Sequence, residues 1–199
     1  MKRIYLLRHG QSEWNVEGKV QGTKDSLLTD KGREQAAMAG RRLADLEIKK
    51  IYCSGLSRAR ETAEIIGGII EVEVEVIPEF VEICFGHWEG LPLDEVKKIY
   101  GDEYSVWKKT PHEFKADGCE TLLEARQRMM RGMDRISDED DDILIVSHGS
   151  SIKALMLGLL DIDLSNYKNF TLSNTGLSLI ENGDYNTIMR YFNDTCHLR

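Results

Sequence analysis

Residues 6–15 read LLRHGQSEWN and residues 144–151 read LIVSHGSS. Each is an apolar run that ends in a polar residue, then His, then Gly. An unbroken apolar run of this length suits a strand buried on both faces, as in a parallel sheet, and the Gly suits a turn out of it. The spacing therefore predicts two strands of one sheet, each presenting a histidine where the chain leaves it.

The intervening sequence repeats strand and helix units. RIYLLR at 3–8 and KKIYC at 49–53 read as buried strands, while a loop rich in Gly, Asn and Gln runs to Gly22. From Thr29 to about Leu46, Ala36, Ala39, Gly40, Leu43 and Leu46 share one helical face, with Thr29 as N-cap. Residues 57–70 form a second amphipathic helix with Arg58 in its first turn, and EVEVEVIP at 71–78 alternates as a half-exposed edge strand. FVEICFGHWEG reads as loop, LDEVKKIYG as a short helix, and EYSVWKKTPHEF as another ended by Pro111. Thr121 and Glu124 resemble a capping box ahead of a helix through Leu122, Ala125, Met129, Met133 and Ile136. SDEDDD at 137–142 reads as a solvated loop, and Asn182-Gly183-Asp184 as a hairpin turn between two terminal strands. The resulting expectation is an α/β, three-layer α/β/α fold: a mainly parallel central sheet, one antiparallel edge strand and a small helical cap.

Composition narrows the function. With 199 residues, 41% hydrophobic and 30% charged, the chain is long enough for one well-packed domain. A net charge of −8 argues against a nucleic-acid or anionic-membrane binder, which needs a basic face. The N-terminal apolar run stops at Arg8, and no stretch reaches the ~20 apolar residues of a spanning helix, so a cytoplasmic location is expected. Cys53, Cys84, Cys119 and Cys196 lack the paired spacing of zinc or redox motifs and read as free thiols; no metal and no cofactor is implied.

In an open parallel sheet, ligands gather at the carboxyl ends of the strands. His9, His148 and Arg58 would meet there. Imidazoles and guanidinium groups suit a phosphoryl dianion: Arg8 and Arg58 offer forked hydrogen bonds, Gly10 and Gly149 allow close backbone approach, and helix N-termini add donors. One neutral imidazole would attack phosphorus, and the second, if protonated, would stabilise charge on the equatorial oxygens. Taken singly, each residue has an ordinary structural explanation; the repeated strand-His-Gly pattern gives the set its weight.

With these residues assembled, the sequence resembles the histidine phosphatase superfamily, in the branch of cofactor-dependent phosphoglycerate mutases and small bacterial phosphatases. The resemblance rests on Leu7-Arg8-His9-Gly10-Gln11-Ser12-Glu13-Trp14-Asn15, Leu28-Thr29 with Gly32, Ser57-Arg58-Ala59 with Thr62-Ala63, Glu82 with Phe85-Gly86-His87-Trp88-Glu89-Gly90, and Ser147-His148-Gly149. It implies one domain over 1–199 with a cap insertion at about 83–117. It also implies His9 as the nucleophile that becomes phosphohistidine, Arg8, Arg58 and His148 around the transferring phosphoryl group, Asn15 as a further contact, and Glu82 as acid and then base. Gln21, Gly22 and Gly149 are expected near the substrate.

In the family this chain resembles, mutases carry a longer, basic insertion between the acid and the second histidine; the short interval here from Glu82 to His148, whose arginines all fall in one predicted helix, therefore implies hydrolysis of a small phosphomonoester over mutase transfer. Trp88, Tyr100, Tyr104, Trp107 and Phe114, interleaved with Lys97, Lys98, Lys108, Lys109 and Lys115, read first as a helical layer and alternatively as an aromatic wall for the leaving group. In this the cap resembles an α-ribazole phosphatase. Asp117-Gly118-Cys119-Glu120-Thr121 departs from the Gly-Gly-Glu-Ser element of the small phosphatases, which leaves open whether Cys119 borders the pocket. Cys53 lies one residue too near Arg58, and one too far from Arg60, to resemble a cysteine-based phosphatase loop. A phosphate-binding module that has lost turnover, and a homodimer, are both allowed.

Overall fold

A computed structural model describes residues 2–136, 141–183 and 185–199. Six strands form one sheet: β1 (Lys2–Arg8), β2 (Ile48–Cys53), β3 (Val74–Val76), β4 (Asp142–Ser147), β5 (Leu177–Asn182) and β6 (Thr187–Asp194), in spatial order β3-β2-β4-β1-β5-β6. The first four run parallel. Antiparallel pairing is confined to the far edge, as expected, but takes two strands: β5 reverses against β1, and β6 turns back against β5.

Successive strand residues feed opposite layers. Ile4, Leu6, Ile143 and Ile145 pack with α6 (Leu122–Arg135) and α7 (Gly149–Leu159), whereas Tyr5, Leu7, Ile51, Cys53, Leu144 and Val146 pack with α2 (Asp30–Leu43) and α3 (Ser57–Ile70). This two-sided burial explains why the central strands read as continuous apolar runs. The short helices α1 (Glu13–Val16), α4 (Leu93–Ile99) and α5 (Gly101–Lys109) complete the set, with α4 and α5 in the expected cap segment.

The helix starts follow their sequence signals. Thr29 accepts a hydrogen bond from the Gly32 amide, and Thr121 and Glu124 cap each other at the head of α6. Four details differ. Helix α2 ends at Leu43, before Leu46. Only Val74–Val76 of the alternating stretch is strand, because Glu71 adopts a left-handed conformation (φ 58°) that closes α3, and the Val72 amide bonds back to the Gly67 carbonyl. Of the acidic run, 137–140 lie outside the described residues, and Asp142 opens β4: its carboxylate accepts from the Arg3 amide and pairs with Arg3 Nε, each at 2.9 Å. Asp184 of the hairpin turn is also outside the described residues, although Asn182 pairs with Thr187 across it. Among the described residues, no helix is long and apolar enough to cross a membrane.

Candidate active site

Strand order explains the meeting of distant residues. β4 lies between β2 and β1, with Ser147 opposite Arg8 and Val146 opposite Cys53, so the residues that follow these three strands share one rim. His9 and His148 stand there with ring centroids 5.2 Å apart and planes inclined at 59°. Arg58, in the first turn of α3, is fully buried.

Hydrogen bonds fix each group. His9 Nδ1 lies 2.7 Å from the Gly10 carbonyl oxygen, an acceptor only, so Nδ1 carries the proton and Nε2 keeps its lone pair. His148 Nε2 is 2.8 Å from Ser54 Oγ. Arg58 donates from Nη2 to Gly22 O (2.8 Å) and from Nη1 to Lys24 O (2.9 Å), while Arg8 donates from Nη1 to Leu172 O (2.6 Å). The expected forks are thus partly committed to loop carbonyls. Arg8 Nε, Arg58 Nε and His148 Nδ1 are buried without a protein partner, as are His112 Nδ1 and His197 Nδ1 away from this cluster.

Burial, and then the Arg58 charge, hold both imidazoles well below the ordinary histidine value, so both are neutral without ligand. Burial also lowers Arg58 to about 10. Neutral imidazoles beside the buried Arg58 and the half-buried Arg8 guanidiniums form a cationic, nucleophilic pocket.

Glu82 occupies the N-terminus of α7. Its carboxylate accepts from the Ser151 amide (3.0 Å), Ser151 Oγ (3.1 Å), the Ser150 amide (3.3 Å) and its neighbour Ile83 (3.0 Å). The helix N-terminus therefore holds this acid, where the sequence suggested donors for phosphate. The glycine expectation is corrected as well. A Cβ on Gly10 would lie 2.4 Å from the Gly32 carbonyl oxygen, so Gly10 admits the first turn of α2; a Cβ on Gly149 would make ordinary contacts with Arg8, from 3.5 Å.

A cavity of about 300 Å³ opens on this cluster, and Arg8, His9, Arg58 and Glu82 all line it. Asn15, Gln21 and Gly22 line it too, whereas His148 and Gly149 are not among its wall residues. Asn15 Oδ1 accepts from the Ser12 amide and from Asn174 Nδ2, and Gln21 Oε1 accepts from Ser12 Oγ. At Gly22, with φ +54°, a Cβ would overlap the Glu89 carboxylate. Phe85, Trp88, Tyr104 and Trp107 form the opposite wall, so the aromatic layer is both core and lining: Trp88 and Phe114 are 1% exposed, and Phe114 and Tyr100 stay off the cavity. Of the interleaved lysines, Lys108 alone reaches the lining, where Lys19 joins it.

Of three supporting residues, Thr62 belongs to the motif quoted above, whereas Ser54 and Asn174 were not singled out by sequence. Ser54 holds His148; Thr62 accepts from the Gly10 amide and donates to Arg58 O; Asn174 donates to His9 O. Ser54 and Asn174 are common polar residues with no local pattern, visible only through their partners. Cys119 does not line the cavity, and burial pushes its thiol up to about 11. All four cysteines are free. Among the described residues, no group of three or more His, Cys, Asp or Glu is placed to hold a metal ion.

Phosphoserine phosphatase 1 of Hydrogenobacter thermophilus is 30% identical over 200 residues, spanning 100% of this chain and 95% of that protein. The structure of Bacillus stearothermophilus YhfR superposes with a TM-score of 0.94 at 32% identity, covering 100% of both chains. Phosphoserine phosphatase from Entamoeba histolytica, in complex with 3-phosphoglyceric acid, gives 0.85 at 33% identity, again over 100% of both. The model of the histidine phosphatase superfamily, branch 1, matches residues 4–195, and the chain belongs to that family.

Proposed function

We propose that this chain is a metal-independent phosphomonoesterase, one domain with a cap at about 83–117, acting through phosphohistidine at His9. The observation that carries the reading is the His9 tautomer: Nδ1–H is engaged by the Gly10 carbonyl, which leaves the Nε2 lone pair beside unspent guanidinium donors. Nε2 attacks phosphorus and the bond to the alcohol oxygen breaks. That oxygen takes a proton from Glu82, which then removes one from the water that attacks phosphohistidine and releases inorganic phosphate. Arg8, Arg58 and His148 stabilise charge on the transferring oxygens.

Hydrolysis is favoured over mutase transfer by the fate of the α6 arginines. Arg128 pairs with Glu120 and donates to the carbonyls of Glu79 and Val81, Arg135 pairs with Glu79, and none of Arg126, Arg128, Arg131 and Arg135 lines the cavity. Lys108, and Lys19 paired with Glu17 at 2.6 Å, are the ammonium groups of a lining whose acidic member is Glu82. That balance suits a small ester carrying a second anionic group, in keeping with the phosphoserine phosphatases among its relatives.

Glu82→Gln tests the scheme. Loss of the general acid costs roughly 10²- to 10⁴-fold on phosphoserine, an ester with a poor leaving group, and much less on an activated aryl phosphate. Equal losses on both substrates would remove Glu82 from the proton-transfer role.

A further inference from the structure

Lys153 takes no part in the scheme above, yet it is half-buried in the fold, two residues beyond Ser151. Its ammonium nitrogen sits 3.6 Å from the ring centroid of buried Tyr167 and donates to the Phe170 carbonyl at 3.3 Å. On the same helix, the Ser150 amide donates to Glu82. The chain just beyond Phe170 touches the reacting groups at three points. Leu172 O accepts from Arg8, Asn174 Nδ2 donates to both His9 O and Asn15 Oδ1, and the Thr175 amide donates to Arg8 O. The ammonium thus adds a polar tie between α7 and a segment whose Tyr167 and Leu172 already share its apolar core, and this segment sets the reach of Arg8 and the seat of His9.

We infer that Lys153 is a positioning residue of the phosphoryl site: its positive charge fastens residues 167–174 to α7 and thereby holds Arg8 on the transferring group. The inference rests on the phosphatase reading. It carries a pH signature, because cation–π attraction needs the charged amine. Burial brings Lys153 down to about 8; Glu82 favours its charge, and Arg8 and Lys108 oppose it. The tie slackens as pH rises through that value.

The test is the pH dependence of kcat/KM on phenyl phosphate between pH 6.5 and 9.5, paired with calorimetric binding of inorganic phosphate. The unmodified protein should lose about tenfold in both on an alkaline limb centred near pH 8, the scale of a site held slightly out of place. Lys153→Met should be low and flat across the range, Lys153→Arg should carry the high plateau to the alkaline end, and Tyr167→Leu should weaken binding as Met does. A flat profile in the unmodified protein, which needs no variant to fold, would overturn the inference. So would an alkaline limb that persists in Lys153→Met. Phosphate binding that shows the limb without turnover at any pH would uphold the positioning role and count against the hydrolase reading alone.

Discussion

At the scale of single residues, the chemistry depends on what is already spent. Arg58 is an extreme case: with side-chain exposure of 0%, it gives one hydrogen to each of two loop carbonyls and keeps Nε free. Lysine cannot reproduce that planar arrangement. His9 shows the same economy, since the Gly10 carbonyl chooses its tautomer and burial, Arg58 and Arg8 together choose its charge. A group whose cationic form is disfavoured in the fold protonates only after the unfolded or exposed imidazole would have done so. NMR titration of the ligand-free protein should therefore find His9 neutral, with the proton on Nδ1, throughout pH 6.5 and above, and its midpoint well below 6.5. A midpoint at or above 6.5 would contradict the assigned environment. The sequence revealed the identity of these side chains but not their commitments. A backbone carbonyl that fixes a tautomer, or consumes half of a guanidinium, leaves no mark in residue type.

At the scale of elements, the site is a consequence of strand order. The apolar runs of β1 and β4 and their His-Gly exits were legible because burial on both faces suppresses alternation, and Thr29 and Thr121 announced their helices through capping chemistry. Adjacency was less legible. Nothing local says that β4 inserts between β2 and β1, and it is this insertion that brings Arg58 and both histidines to one rim. Edges misread for a physical reason: the valines of 71–78 alternate as a strand should, but the closing turn of α3 claims the first residues. Gly10 lies at the junction of β1 and α2, where its missing side chain lets the Gly32 backbone approach. Gly10→Ala should push these elements apart, displace the carbonyl that orients His9, and lower kcat by about 10²-fold, the cost of a small misplacement of a reacting group. Steady-state kinetics with a thermal melt would check it; unchanged kcat in a folded variant would show that the junction tolerates the methyl.

At the scale of the whole molecule, a chain of net charge −8 encloses a pocket lined by Arg8, Lys19, Arg58 and Lys108 against Glu82. The overall repulsion of anions gives way to local attraction where burial strengthens each charge, so capture and chemistry are confined to one cavity. The two apolar layers serve this end by clamping the sheet from both sides, which keeps the rim residues in register. Everything proposed for the cavity converges on a bond between phosphorus and His9 Nε2. The direct measurement is rapid acid quench after mixing with ³²P-labelled phosphoserine, followed by peptide mapping. The account predicts an acid-labile, base-stable phosphoryl group on the peptide containing His9, formed and lost at rates that match turnover, and absent in His9→Ala. Hydrolysis proceeding at full rate with no label on His9 would contradict it.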